Sequence, residues 1–210
     1  MFPFFKRIIK VNGGLFMDIL SMVKQLQDNN VLDQLSKQTG ASKSDVSNIL
    51  EMGVPALLQA MSQNAKQPEG AKALEKALTD HENDSMNDVV GFLKNVNPQE
   101  GNKILQHIFG SKTSNVEKKI ASSTNVSDTL VDSVLKNVAP MVLTALGQQK
   151  KKDDLSASNL SNALGMFTSM ISSSSKKDVT KIVTSLLDTD NDGDVLDDVS
   201  NMIGGLFKKR

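Results

Sequence analysis

Apolar side chains recur along most of the chain at intervals of three and four residues, which is the period of an amphipathic α-helix. No segment sustains the period-two alternation that is typical of a β-strand. Four groups show the helical spacing: Ile19, Leu20, Val23, Leu26; Val89, Val90, Phe92, Leu93; Ile104, Leu105, Ile108, Phe109; Val179, Ile182, Val183, Leu186, Leu187. The pattern predicts an all-α fold, a multihelical globular bundle.

Prolines and linker-like segments divide this pattern. Pro55, Pro68, Pro98 and Pro140 stand where helices are expected to begin, because the N–H that proline lacks is unbonded in a first turn anyway. The segment GQQKKKDDLSASN at 147–159 is typical of a connection. We interpret residues 1–16 as a leader or a mis-assigned start before Met17, residues 17–150 as a helical body, and residues 151–210 as C-terminal helices.

The body contains a sequence repeat. Residues 35–61 align without gaps on residues 120–146, at a constant offset of 85 positions. Each copy predicts a short helix, a turn, a serine-capped helix and a proline-started helix, and Ser42 with Asp45 resembles a capping box. We therefore expect an internal duplication of a three-helix unit. The identical pairs are Thr39/Thr124, Ser42/Ser127, Val46/Val131, Leu50/Leu135, Pro55/Pro140, Leu58/Leu143 and Ala60/Ala145.

Composition narrows the function classes. The 24 basic residues balance 24 acidic ones, so no net charge attracts nucleic acid or anionic lipid. The chain has no Cys, which excludes disulfides, thiolate zinc sites and cysteine nucleophiles and suits a cytoplasmic protein. No apolar run approaches the ~20 residues of a membrane span, so we expect no transmembrane segment.

The stretch LLDTDNDGDVLDDV at 186–199 carries the most distinctive chemistry. Its D-x-D-x-D-G spacing is the opening half of a calcium loop, in which oxygen ligands at alternate positions converge on the ion and glycine supplies the sharp turn. The predicted metal ligands are Asp188, Asp190, Asp192, Asp194 and Asp198.

The end of this loop departs from the calcium pattern. Val199 stands at the twelfth position, where a bidentate Glu is usual, so Asp198 would close the site in a loop shortened by one residue. A bound Ca²⁺ would have a structural role, because it removes the repulsion between carboxylates and favours the folded state. The alternative is a solvated acidic turn before a helix N-terminus, where carboxylates suit the helix dipole.

A DNA-binding alternative rests on the repeat. Residues 35–50 and 120–135 are similar to the helix-turn-helix of bacterial repressors, and Lys43, Ser44, Ser47 and Asn48 would then face the major groove. Acidic residues on the same segments and the lack of a basic stripe oppose this reading. Nucleic acid is therefore not the expected partner.

Enzyme chemistry has little support in the sequence. His81 in HEND lacks the second histidine of a zinc-protease motif, and His107 lies in an apolar helical pattern. No glycine-rich phosphate loop or nucleophile elbow is present. We expect no catalytic residues and no enzymatic activity.

Several motifs together resemble a known family. Four motifs are similar to the bacterial domain-of-unknown-function family 937, which is related to YidB-like helical proteins: TGAS followed by VPALLQAM, GNKILQHIFG, the second LTAL unit and the closing DTDNDGDVLDDVSNMIGGLFKK. The resemblance covers nearly all of the sequence from Met17 onwards. It implies a multihelical fold in a cytoplasmic bacterial protein.

These inferences lead to one expected function. The protein is a non-enzymatic helical protein with an interaction or structural role, and it carries a structural Ca²⁺ loop at residues 188–198. We expect a protein partner whose identity the sequence does not give. A homo-oligomer is the other possible assembly.

Overall fold

In a computed structural model of the protein, residues 21–153 and residues 159, 164 and 165 are described, and this part of the chain contains no strand. The all-α prediction is therefore confirmed. Helical residues 21–26 precede seven α-helices, and a 3₁₀ turn at Gly110–Lys112 joins α5 to α6. The helices are α1 (Asn29–Thr39), α2 (Lys43–Asn64), α3 (Pro68–His81), α4 (Val89–Lys94), α5 (Pro98–Phe109), α6 (Thr113–Thr124) and α7 (Asp128–Asp153).

Helix α7 lies at the centre of the fold. It packs against each of the other six helices, most extensively against α5 and α3. Its middle part is buried on every side, because its apolar positions far exceed one helical stripe. The apolar residues with no exposed surface are Val131, Val134, Leu135, Val138, Ala139, Met141 and Val142.

The same helix has the length and hydropathy of a membrane span. An 18-residue window within Asp128–Lys152 has a mean hydropathy of 1.3, and among the described residues no other helix contains such a window. Because 72% of that window is already buried inside the protein, the apolar surface is covered by other helices. The core helix of a soluble protein has the same composition, so this is weak evidence for a membrane.

The prolines divide into two pairs. Pro68 and Pro98 begin α3 and α5, as predicted. Pro55 and Pro140 lie inside α2 and α7, so the prediction that they begin separate helices is wrong. An internal proline costs one hydrogen bond and strains the preceding turn, but tertiary packing of a long buried helix outweighs this local cost.

The missing proline N–H leaves the carbonyl of Lys136 without its usual partner on α7. Gly101 of α5 packs directly on this carbonyl, and a Cβ at position 101 would overlap the Lys136 oxygen. The close α5–α7 crossing therefore depends on the absence of a side chain at Gly101.

The two repeated segments have the same local geometry. Thr39 and Thr124 each donate a hydroxyl hydrogen bond to the carbonyl four residues before, over 2.7 Å. The residues that follow, Gly40 and Asn125, both adopt the left-handed conformation, with φ of 75° and 56°. Both helices therefore end in the same type of cap.

The helix starts also correspond. Ser42 Oγ accepts from the backbone N–H of Asp45 at 3.1 Å, and Ser127 Oγ accepts from that of Leu130 at 3.2 Å. In a capping box the Asp45 carboxylate would accept from the backbone N–H of Ser42. Here it accepts from the Ser42 hydroxyl instead, at 2.8 Å. Each repeat forms two helices rather than three, since the proline does not divide the second. The duplication itself stays a prediction.

The predicted connection after residue 146 is helical over its first part. Helix α7 continues to Asp153, and a Cβ at Gly147 would lie 2.5 Å from the carbonyl oxygen of Leu78. The expectation of a linker is therefore wrong for residues 147–153. Further along, Leu164 has no exposed surface and belongs to the same hydrophobic core as the body.

Candidate functional site

The predicted calcium ligands cannot be placed in the described part of the protein. Asp188, Asp190, Asp192, Asp194 and Asp198 lie outside the described residues, as does the interpreted leader at residues 1–16. Within the described residues, no group of three His, Asp or Glu side chains is arranged to hold a metal ion. The metal site therefore stays a prediction.

The surface of the protein has a groove of about 450 Å³, and most of the residues that line it belong to no motif recognised in the sequence. It is formed by the end of α3, the connection from α3 to α4, helix α4 and the start of α5, with Pro140 of α7 also contributing. We call this surface the acidic groove. It is lined by three carboxylates (Asp84, Asp88, Glu100), three apolar residues (Phe92, Val96, Pro140) and His81, Ser85, Gly91, Asn95 and Asn97.

His81 links two of the carboxylates that line this groove. Its Nδ1 lies 2.8 Å from Asp84 Oδ2, and its Nε2 lies 3.5 Å from Glu100 Oε1. The side chain is only 16% exposed, whereas the two carboxylates are 43% and 47% exposed. The imidazole therefore joins α3, the α3–α4 connection and α5, and it holds two carboxylates at the groove surface.

Side chains of α7 hold the α3–α4 connection and the end of α3 in place. Thr144 Oγ1, which is fully buried, lies 3.4 Å from Asp84 Oδ2, and the Gln148 side chain donates to the Asp84 carbonyl. Lys150 Nζ donates to Thr79 Oγ1 at 2.9 Å. These bonds join α7 to the end of α3 and to the α3–α4 connection, and contacts of this kind favour a preformed groove.

Two polar groups in the groove also cap helices. Asp88 accepts from the backbone N–H of Gly91 at 2.9 Å at the start of α4, and Asn97 accepts from that of Gln99 at 2.9 Å at the start of α5. Each cap uses one oxygen for a helix N–H that would otherwise lack a partner. Capping explains the presence of these two residues, but it does not account for Glu100 or for the half-exposed Phe92.

Glu117 lies in a second charged cluster, between α6 and α7. The pKa of Glu117 is raised to about 7, chiefly by burial and then by the charge of Asp132 and a side-chain hydrogen bond with it. Asp128 acts in the same direction, whereas Lys136 opposes them. Lys136 Nζ lies 2.7 Å from Asp132 Oδ2 and so neutralises only one of the three carboxylates.

The residues of the DNA-binding alternative are divided between the surface and internal contacts. Lys43 Nζ lies 2.6 Å from Asp33 Oδ1, and the Ser47 hydroxyl donates to Gln27 Oε1 at 2.7 Å. Ser44 and Asn48 are exposed near the start of α2. Two of the four expected base contacts are thus committed within the protein, and no observation favours this alternative.

The acidic groove has no signature in the sequence pattern, although His81 contributes to it. His107 is exposed on α5, while His81 meets partners 3 and 19 positions later in the chain. The pair with Asp84 has helical spacing and could have been found. The Glu100 contact depends on the packing of α5 beside α3, which no local pattern reveals.

Comparison with known proteins identifies relatives only at the family level. A model of the family described as bacterial protein of unknown function (DUF937) matches residues 21–149. No curated protein and no solved structure matches the chain.

Proposed function

The chain belongs to the DUF937 family of bacterial proteins of unknown function, and from that premise we propose that it is a non-enzymatic, cytoplasmic interaction protein. Its binding surface is the acidic groove. The partner is a protein segment that carries basic and apolar side chains. The observation that carries this proposal is the combination of exposed apolar surface and carboxylates around one preformed groove.

The apolar part of the groove supplies the contact area. Phe92 lies on α4 and Val96 follows its end, and both side chains are half-buried. Leu93 of the same helix is fully buried and marks the side that faces the core. An aromatic side chain that remains accessible in a concave surface is typical of a binding anchor, because its burial on binding removes a large apolar area from water.

The carboxylates supply selectivity. Asp84, Asp88 and Glu100 surround the apolar residues, and among the described residues His81 is the only basic side chain that lines the groove. A basic segment would be attracted and oriented by this charge, whereas an acidic one would be repelled. The formal net charge of zero for the whole chain conceals this local excess.

The geometry of His81 supports a non-catalytic role. Its two ring nitrogens face two carboxylates, Asp84 and Glu100. A general base needs a ring nitrogen directed at the proton of a substrate or nucleophile. The observed arrangement instead suits a histidine that fixes the shape of the groove.

A peptide-binding experiment tests this function. A fluorescent peptide with Phe and Lys side chains should bind the 210-residue chain with an affinity on the order of micromolar, and more weakly as salt is raised. The probe for comparison has Glu in place of Lys and should not bind. Fluorescence anisotropy at low and physiological ionic strength measures both.

Groove variants make this experiment specific. Asp88→Asn with Glu100→Gln removes two groove charges while Asn keeps the cap of α4, and it should weaken binding about tenfold. Glu51→Gln with Asp80→Asn removes two exposed charges outside the groove and is the matched control. Equal binding by all three proteins, or no salt dependence, would contradict the proposed surface.

A structural Ca²⁺ loop is the second part of the proposal. It rests on the spacing of Asp188, Asp190, Asp192, Asp194 and Asp198. Calorimetric titration of the full chain with Ca²⁺ should show binding, and Ca²⁺ should raise the melting temperature more than Mg²⁺ does. Asp190→Ala with Asp192→Ala should abolish both effects. Unchanged heats and melting temperatures in that variant would remove the calcium site.

A further inference from the structure

We propose that the acidic groove is occupied, within the same molecule, by the chain's own basic segment LFKKR at residues 206–210. This inference rests on the proposed function, because it names the ligand of the same groove. The bound segment would compete for the groove with any partner of similar chemistry. The protein would thus regulate its own interaction surface.

The first argument is charge complementarity. The segment has three consecutive cations, Lys208, Lys209 and Arg210, and the groove has three carboxylates. Asp84 and Glu100 contact opposite nitrogens of one imidazole, so these two carboxylates are separated by a single ring. Closely spaced acceptors of this kind suit cations that are adjacent in a chain.

The second argument is the match of apolar surfaces. Leu206 and Phe207 directly precede the cations, and the groove places Phe92, Val96 and Pro140 beside its carboxylates. An aromatic or leucine side chain packed there would cover the half-exposed Phe92. A segment with only basic residues would leave this surface in water.

The third argument is reach. Leu164 is fully buried in the core, which fixes one point of the chain beyond α7. Roughly 40 residues separate it from the basic segment, and even a continuous helix of that length would extend about 60 Å. A domain of this size has a radius of gyration of about 15 Å, so the segment can reach any face of the molecule.

The absence of cysteine provides a clean test. Ser85 is exposed and lines the groove, so Ser85→Cys with Gly205→Cys should form an intramolecular disulfide under mild oxidation at low protein concentration. The matched control is Ser44→Cys with Gly205→Cys, because Ser44 is an exposed serine on α2 outside the groove. The groove pair should form on the order of tenfold faster, as a high effective concentration requires.

Charge reversal extends the test. Lys208→Glu with Lys209→Glu should slow the groove disulfide to the rate of the control pair, and adding Glu100→Lys should restore part of the rate. Equal rates for the two cysteine pairs would overturn the inference. Disulfide-linked dimers in place of monomers would also overturn it, by showing that the segment of a second copy occupies the groove.

A binding measurement separates this inference from the proposed function. Removal of residues 206–210 should strengthen binding of the Phe/Lys peptide about fivefold, because no internal competitor remains. Unchanged affinity after truncation, together with salt-dependent binding, would refute the internal ligand while leaving the groove as a binding surface. No peptide binding before or after truncation, with equal disulfide rates, would refute both.

Discussion

Glu117 shows how one side chain makes stability depend on pH. It faces Asp132, Asp128 and Lys136 where α6 packs on α7, and its pKa in the folded protein is about 7 instead of the ordinary 4.5. The folded protein therefore binds this proton more tightly than the unfolded chain does. The stabilisation from protonated Glu117 is complete below about pH 4.5 and is lost as the pH rises through about 7.

Glu117→Gln is expected to stabilise the protein at pH 8 and to have little effect at pH 5, since glutamine resembles the protonated carboxyl. The gain should be roughly 1 kcal/mol, because Glu117 is half-exposed and solvent screens its repulsion from Asp132. Urea unfolding at the two pH values measures it. Glu51→Gln, at an exposed position of α2, should show no such difference. A pH-independent effect of the Glu117 substitution would contradict the assignment.

At the scale of elements, the crossing of α5 and α7 determines the architecture. Pro140 removes the donor that would normally bond the Lys136 carbonyl, and Gly101 packs on that carbonyl. The two helices consequently approach more closely than side chains would allow. This crossing also brings Glu100 to His81 at the edge of the acidic groove.

Gly101→Ala should destabilise the protein by roughly 1–3 kcal/mol, because its Cβ would overlap the backbone of α7 and force the helices apart. Gly165→Ala is the matched control, since its Cβ would make ordinary contact with Ser62 Oγ at 3.7 Å. Thermal unfolding of both variants measures the difference. Equal melting temperatures for the two variants would show that α5 does not depend on this close approach.

At the scale of the whole molecule, the chain beyond α7 is connected to the body. Leu164 has no exposed surface and belongs to the hydrophobic core, and Gly165 lies beside Ser62 of α2. The division of the sequence at residue 150 placed Leu164 in a separate C-terminal piece. Its burial indicates that folding of the body includes at least this part of the later segment.

Leu164→Ala should lower the free energy of unfolding by about 3 kcal/mol, as is usual when a fully buried leucine is truncated. The unfolding transition should remain single, because one core is weakened as a unit. Denaturant titration followed by circular dichroism tests this, with the exposed Gln106→Ala as a control. A stability equal to that of the unmodified protein would place Leu164 outside the cooperative core.

Local patterns predicted much of the fold. The three- and four-residue spacing gave the helices, and Ile104, Leu105, Ile108 and Phe109 form the buried face of α5 as expected. Ser42 and the starts at Pro68 and Pro98 were also correct, because caps and first turns depend on neighbouring residues alone. The prediction that Pro55 and Pro140 begin helices was wrong, because the effect of an internal proline depends on what the rest of the helix packs against.

The sequence by itself determined the all-α class, the helix caps and the family of the protein, since each depends on residues close together in the chain. Only the tertiary structure decided that Pro55 and Pro140 stay within continuous helices, that Gly101 meets Lys136, and that His81 joins Asp84 to Glu100. The physical reason is that packing energy and electrostatic contacts depend on distance in space. Residues that are far apart in the chain come into contact only when the surrounding helices pack against α7.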